Sequence, residues 1–283
     1  MATFTNFATL SYSGGTTNSN TVVGELLETL SAAKVAVTND YSARDNVTYI
    51  ISLINSGTAA LTGLTVTDDL GSYLFDSETV YPLRYVTGSV RYYVNGVLQT
   101  APAVVAGPPM VISGISVPAG GNVMLIYEAE VTAYAPLASG AEITNEAAIS
   151  GGGLSTPVTA TETVSVRNRA ELTVSKAISP AAVAENGQLT YTFVIENSGN
   201  SAAAAEDNVV LRDVFDPILE NITVTYNGTL WTEEVDYTYD RATGGFVTLP
   251  GQIVVPAAEY MQNSDGTWTV SPGTVSLSIT GTV

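Results

Sequence analysis

The sequence predicts an all-β chain of two tandem β-sandwiches, and three observations carry that prediction. Short runs rich in Val, Thr, Ile and Tyr alternate apolar and polar residues with a two-residue period, while helical periodicity is almost absent. Turn signals such as Asn55-Ser56-Gly57, Asn95-Gly96 and Pro118-Ala119-Gly120-Gly121 cut these runs. The segment that begins at Lys34 recurs from Lys176, with Asn55-Ser56-Gly57 answered by Asn197-Ser198-Gly199 at the same offset of 142 positions. A chain of 283 residues has room for two domains of ordinary size, and 45% hydrophobic residues supply their cores.

In chain order, the first element is an N-terminal arm and linker, residues 1–30. Phe4, Asn6, Ala8 and Leu10 share one face of its opening run, and the Gly/Ser/Thr/Asn-rich stretch from Ser13 to Asn20 reads as a flexible linker. The first sandwich follows at residues 31–168. Its strands place Lys34 with Leu30, Ala32 and Ala36, Asp68 with Leu64, Val66 and Leu70, and Asn145 with Ile143, Ala147 and Ile149, before a last run from Val158. The second sandwich, residues 169–283, repeats this with Lys176 beside Leu172, Val174 and Ile178, and Asp213 beside Val209, Leu211 and Phe215.

The two copies differ at their ends. Val283 aligns with Val131, so the strands around Asn145 and Val158 have no counterpart in the second copy. The same pattern stands at the start of the chain, where the run from Phe4 mirrors the Asn145 strand and Thr21 to Leu27 mirrors the Val158 region. A sandwich without edge strands bares an apolar groove and unpaired backbone groups. The expectation is a second sandwich completed by an N-terminal donor strand from a neighbouring subunit. Insertion into its own body is disfavoured, because about ten linker residues at roughly 3.3 Å each span too little. Repeated head to tail, such a contact does not close and yields a homopolymer. The bland alternative is an unstructured tail.

Composition removes many chemistries. Nine Lys and Arg against 27 Asp and Glu give a net charge of −18, which repels nucleic acids and anionic lipid surfaces. With no Cys and no His there are no disulfides, thiolate zinc sites or Cys and His nucleophile systems. No metal and no cofactor is expected. No run is long and apolar enough for a spanning helix, so no membrane insertion is expected, and the opening residues lack the charged start and apolar run of a signal peptide.

The two lysines of the chain, Lys34 and Lys176, occupy equivalent places and point inward with Asp68, Asp213, Asn145 and Asn6. Buried Lys, Asp and Asn compose a spontaneous isopeptide reaction: the carboxyl group, kept protonated by burial, donates to the Asn side-chain carbonyl, a desolvated amine attacks the polarised amide carbon, the carboxyl group shuttles protons, and ammonia leaves. The assignment is Lys34 nucleophile, Asp68 catalyst and Asn145 electrophile in the first sandwich. In the second, Lys176 and Asp213 receive Asn6 from a donated arm, linking two subunits. An unreacted, hydrogen-bonded ion pair is the competing reading. Glu128 and Glu130 are rival catalysts, disfavoured because Thr280 and Thr282 replace them in the second copy. Weaker signals are the glycosylation sequons at Asn46, Asn221 and Asn227, acidic pairs Asp68-Asp69 and Glu206-Asp207 as calcium ligands, and Trp231 and Trp268 as a sugar platform.

The motifs around Lys34, Tyr49, Asn55-Ser56-Gly57, Thr65-Val66-Thr67-Asp68-Asp69-Leu70 and Ile143-Thr144-Asn145-Glu146-Ala147, with their second-copy partners, resemble the conserved-repeat domain of bacterial surface proteins, once a domain of unknown function. The resemblance implies immunoglobulin-like sandwiches on the outside of a bacterial cell or spore, often fimbrial or isopeptide-forming. The logic is similar to that of donor-strand pili and spore appendage subunits. A sorting motif and membrane tail are not seen. The expectation is a structural filament subunit without enzymatic turnover. The alternatives are a monomeric stalk or adhesin that binds a host ligand or glycan and, further off, a carboxylate-dependent glycoside hydrolase.

Overall fold

The computed structural model describes residues 2–26 and 29–283; Met1, Leu27 and Glu28, all assigned to the arm, lie outside the described residues. The architecture is all-β, and the described residues form two compact units: those up to Thr132 with Ile143–Val164, and Ala133–Glu142 with Ser165–Val283.

The arm opens with β1 (Ala2–Asn6), β2 (Thr9–Tyr12), β3 (Gly15–Asn18) and β4 (Val22–Leu26). β2 pairs with β3 across Ser13-Gly14, and β1 pairs with β4, so the arm is one long antiparallel hairpin. This corrects the flexible linker expected from Ser13 to Asn20. The stretch is a hairpin tip: Gly14-Gly15 permits the tight reversal, and the Tyr12 ring covers Gly14 so closely that a Cβ there would lie 2.7 Å from it. Thr9 Oγ1 donates to Asn18 Oδ1 at 2.8 Å, and the Ser19 and Ala8 backbones bond each other's residue on the joint between the two ladders. Phe4 lies across Gly24, its partner in register.

The first sandwich contains β5 (Leu30–Ala36), β6 (Asp40–Tyr41), β7 (Asn46–Asn55), β8 (Leu61–Asp68), β9 (Tyr73–Phe75), β10 (Glu78–Val80), β11 (Leu83–Tyr85), β12 (Arg91–Val94), β13 (Val97–Gln99), β14 (Ala103–Val105), β15 (Met110–Val117), β16 (Asn122–Val131), β17 (Glu142–Gly151) and β18 (Val158–Val166). One sheet runs β13-β12-β16-β7-β5 and the facing sheet β14-β15-β8-β17-β18-β6, in the immunoglobulin-like manner. The two-residue period buries Val47, Tyr49, Ile51 and Leu53 of β7 in one sheet and Leu64 and Val66 of β8 and Ile143, Ala147 and Ile149 of β17 in the facing one.

The second sandwich is built from β19 (Leu172–Ser179), β20 (Gln188–Asn197), β21 (Arg212–Val214), β22 (Glu220–Tyr226), β23 (Thr229–Leu230), β24 (Tyr237–Asp240), β25 (Gly245–Thr248), β26 (Glu259–Gln262), β27 (Trp268–Ser271) and β28 (Gly273–Thr282). Its sheet β19-β20-β28-β22-β23 repeats β5-β7-β16-β12-β13 strand for strand. Its other sheet, β24-β25-β21, repeats β14-β15-β8 and there ends. Where β8 is flanked by β15 and β17, β21 pairs with β25 on one side and with no strand on the other among the described residues. Phe193, Phe215, Phe246, Leu277 and Ile279 form its core.

The repeated Asn-Ser-Gly motif has a structural role in both units. Asn197, fully buried, accepts the N–H of Glu171 and Gly199 at 2.9 Å each and donates to the carbonyls of Ser201 and Pro256. Asn55 makes the equivalent bonds to Gly57, Ala59, Val117 and Pro118, so one side chain satisfies the buried backbone of two converging loops.

Candidate functional site

Lys34 lies on the inward face of β5 because the alternation set by Leu30 and Ala32 carries it there, and Asp68 ends the apolar face of β8. Their side chains are fully buried, with Lys34 Nζ 2.7 Å from Asp68 Oδ2. Asp68 Oδ1 accepts the Leu70 N–H at 3.1 Å, and the Tyr127 hydroxyl donates to Oδ2. Asn145, on β17 beside β8, donates from Nδ2 to the Tyr127 oxygen at 3.4 Å, while its own Oδ1 is buried without a hydrogen-bond partner. Lys34 Nζ sits 4.9 Å from the centre of the Tyr49 ring, which stacks on Tyr127.

Burial pushes the Lys34 amine below its ordinary value of 10.5, against the opposing pull of Asp68 and, more weakly, Asp69 and Glu146. Burial, reinforced by the Asp68 charge, pushes the Tyr127 hydroxyl well above 10. A proton passed from Lys34 to Asp68 leaves a neutral amine inside a closed core, and the unpaired Asn145 carbonyl oxygen is the polarisable group nearby.

The structure thus brings Lys34, Asp68 and Asn145 into one cluster, with a difference from the sequence expectation. The carboxyl group was expected to donate directly to the Asn145 carbonyl, whereas Tyr127 stands between them and bonds both side chains. Sequence reasoning missed Tyr127. The signal was present, since Tyr127 has the inward parity of Val123, Leu125, Ala129 and Val131 on β16. The same parity turns Glu128 and Glu130 away from the cluster, and Glu130 pairs with Arg84 on the surface.

In the second unit Lys176 bonds Asp213, which also accepts the Val214 N–H at 2.9 Å. Lys176 Nζ lies 4.4 Å from the Tyr191 ring centre and within 5.6 Å of those of Phe193 and Phe215. Tyr191 faces Ile279 in register, as Tyr49 faces Tyr127, so the bridging hydroxyl has no counterpart. This pair is open: the Lys176 side chain is 40% and that of Asp213 19% exposed, against 0% for Lys34 and Asp68. Leu172, Val174 and Ile178, on the same face of β19 as Lys176, are exposed too. Asn6, Phe4, Ala8 and Leu10 are all exposed on the arm hairpin, whose strands, among the described residues, pair with one another.

Some of the weaker sequence signals, Asp68, Asp69, Asp207 and Trp231, have ordinary structural uses. Asp68 is committed to Lys34, and the Asp69 carboxylate accepts the N–H groups of Gly71 and Glu146. Asp207 accepts the Ala204 N–H. Trp231 stacks on Tyr226 and packs against the second core, which argues for a packing role over an open sugar platform. No helix among the described residues is long and apolar enough to cross a membrane.

No protein-family model matches the chain, and no curated protein matches it. The similarity to the conserved-repeat domain therefore rests on the sequence motifs. Solved structures with similar β-architecture include the major pilin subunit of Bacillus cereus, 15% identical with a TM-score of 0.36 over 96% of this chain and 73% of that one. The pilus backbone protein of Streptococcus pneumoniae is 11% identical, with a TM-score of 0.36 over 86% of this chain, which spans 55% of that protein's length. A transglutaminase of red sea bream, an enzyme, matches 91% of this chain and 27% of its own at 12% identity and a TM-score of 0.30. Likeness this distant carries no functional argument, so the functional reading rests on the site itself.

Proposed function

We propose that this chain is the structural subunit of a self-assembling filament on the outside of a bacterial cell or spore, polymerising head to tail by donation of the N-terminal arm into the second sandwich of the next subunit. One observation carries the reading. The same Lys–Asp pair is fully buried in the first sandwich, where β17 and β18 continue the sheet beyond β8, and partly open in the second, where the sheet ends at β21 among the described residues, while the arm repeats the sequence pattern of the Asn145 strand. Its partner is therefore another copy of itself.

On this reading each pair becomes a covalent lock. Lys34 Nζ attacks Asn145 Cγ, the Nζ–Cγ bond forms, the Cγ–Nδ2 bond breaks, and the nitrogen leaves as ammonia with protons relayed through Asp68 and Tyr127. Asn6 of the donated arm offers Lys176 the same electrophile, with Asp213 as the proton relay. No cofactor, metal or turnover is involved.

Electron microscopy of the purified protein tests the assembly: fibres are expected, and dispersed particles at high concentration contradict it. Intact mass reports the chemistry separately, since each closed bond removes one ammonia. Asn6→Ala is expected to leave fibres that fall apart in hot detergent. Fibres of the unaltered protein that dissolve in the same treatment count against the intersubunit bond.

A further inference from the structure

We infer that the donated element is the whole β1–β4 hairpin, inserted as a two-stranded unit beside β21 in one defined register; this rests on the filament reading and specifies its interface. In the first sandwich, β17 and β18 are themselves an antiparallel pair that follows β8 in the sheet, with Thr144 Oγ1 3.0 Å from Thr163 Oγ1 on the outer face. The arm reproduces this pair. Aligning Asn6 with Asn145 makes Thr5 the counterpart of Thr144, and Thr5 stands opposite Val23 as Thr144 stands against Thr163. The Phe4 ring fills the space over Gly24, and the joint at Ala8 and Ser19 ties the two ladders together, so the hairpin is preformed before it finds a partner. Donating it preformed avoids the ordering entropy that a loose strand loses on binding.

The register follows from the first sandwich. There Ala147 opposes Asp68, Ala148 opposes Thr67 and Ile149 opposes Val66. Transferred residue by residue, Ala8 opposes Asp213, Thr9 opposes Arg212, Leu10 opposes Leu211 and Tyr12 reaches Val209. Asn6 then takes the place that Asn145 holds relative to the Lys–Asp pair. Tyr12 enters a cleft of about 620 Å³ whose lining includes Leu172, Ala203 and Val209. The three-stranded sheet β24-β25-β21 becomes five-stranded, and the open edge is moved outward to a strand rich in Thr and Asn.

The chain contains no cysteine, so paired cysteines report the geometry directly. In an Asn6→Ala background, which removes any amide link, a Thr9→Cys chain is mixed with an Arg212→Cys chain and oxidised. Both positions are exposed and face outward. The expected result is a reducible dimer of one chain of each kind. Replacing Arg212→Cys by Val214→Cys, two residues out of register on the same exposed face, is expected to lower the yield roughly tenfold, because the cysteines then lie beyond disulfide reach. Equal yields overturn the register. A chain carrying both Thr9→Cys and Arg212→Cys that cross-links only within itself overturns the choice of a second copy.

A second variant, Thr5→Cys with Val23→Cys, staples the hairpin shut. Fibre formation by the stapled protein is expected to match that of its reduced form, whereas loss of fibres on oxidation shows that β1 must leave β4 and overturns hairpin donation. Fibres from the parent without the Thr9–Arg212 link leave the filament reading standing and remove this interface. Absence of fibres from the parent removes both.

Discussion

At the scale of single residues, burial separates two chemically identical pairs. Lys34→Met leaves the Asp68 charge without its counter-ion in a closed core and is expected to cost about 3–5 kcal/mol, read by denaturant unfolding of the first unit. Lys176→Met, at the open pair, is expected to cost less than about 1 kcal/mol in the unassembled protein. Equal costs would mean that the two sites do not differ in burial. Tyr127→Phe removes the hydroxyl that joins Asp68 to Asn145, with an expected loss of about 1–2 kcal/mol and slower release of ammonia in the mass assay. A rate unchanged by this substitution excludes Tyr127 from the relay.

The Lys34 amine also sets a pH dependence. Its folded value lies below 10.5, so above the folded value the unfolded chain holds more protons than the folded one and stability rises with pH. Burial raises Tyr49 and Tyr127 above 10, so beyond 10 the unfolded chain releases protons that the folded chain keeps, and stability falls again. An Asn145→Ala variant, which cannot close the bond, is expected to gain stability in urea titrations as pH rises from the lowered Lys34 value towards 10 and to lose it above. A monotonic fall across that window contradicts a desolvated Lys34.

At the scale of elements, the recurrent clamp and the unpaired strand decide the behaviour. Asn197→Ala removes four hydrogen bonds, one buried and three partly buried, and leaves backbone groups of two loops unsatisfied, with an expected cost of about 2–4 kcal/mol and faster amide exchange at Gly199. Exchange unchanged at Gly199 argues against the clamp. Strands such as β7, β8, β16 and β17 were legible in the sequence because half-buried strands alternate strictly, and that parity alone placed Lys34, Asp68 and Asn145 inward. Tyr127 was overlooked because an aromatic on an apolar face reads as packing, and its hydroxyl acquires meaning only once Asp68 faces it across the core. The arm misled for a different reason: Gly, Ser, Thr and Asn mark both flexible linkers and hairpin tips, and cross-strand pairs such as Thr9 with Asn18 decide between them.

At the scale of the whole molecule, the proposed assembly joins a sheet that stops at β21 to a self-paired hairpin whose sequence pattern matches the Asn145 strand. In that proposal, covering exposed Phe4 and Leu10 with exposed Leu172, Val174 and Ile178 is the apolar driving force, and the proposed Lys–Asn bond is what makes the joint permanent. Light scattering of the eluting protein, with and without residues 2–26, tests this most directly. The full chain is expected to elute as a ladder of multiples of the subunit mass that lengthens with concentration, and the shortened chain as a folded monomer. A ladder that survives removal of the hairpin, or a full chain that stays monomeric at every concentration, contradicts the account.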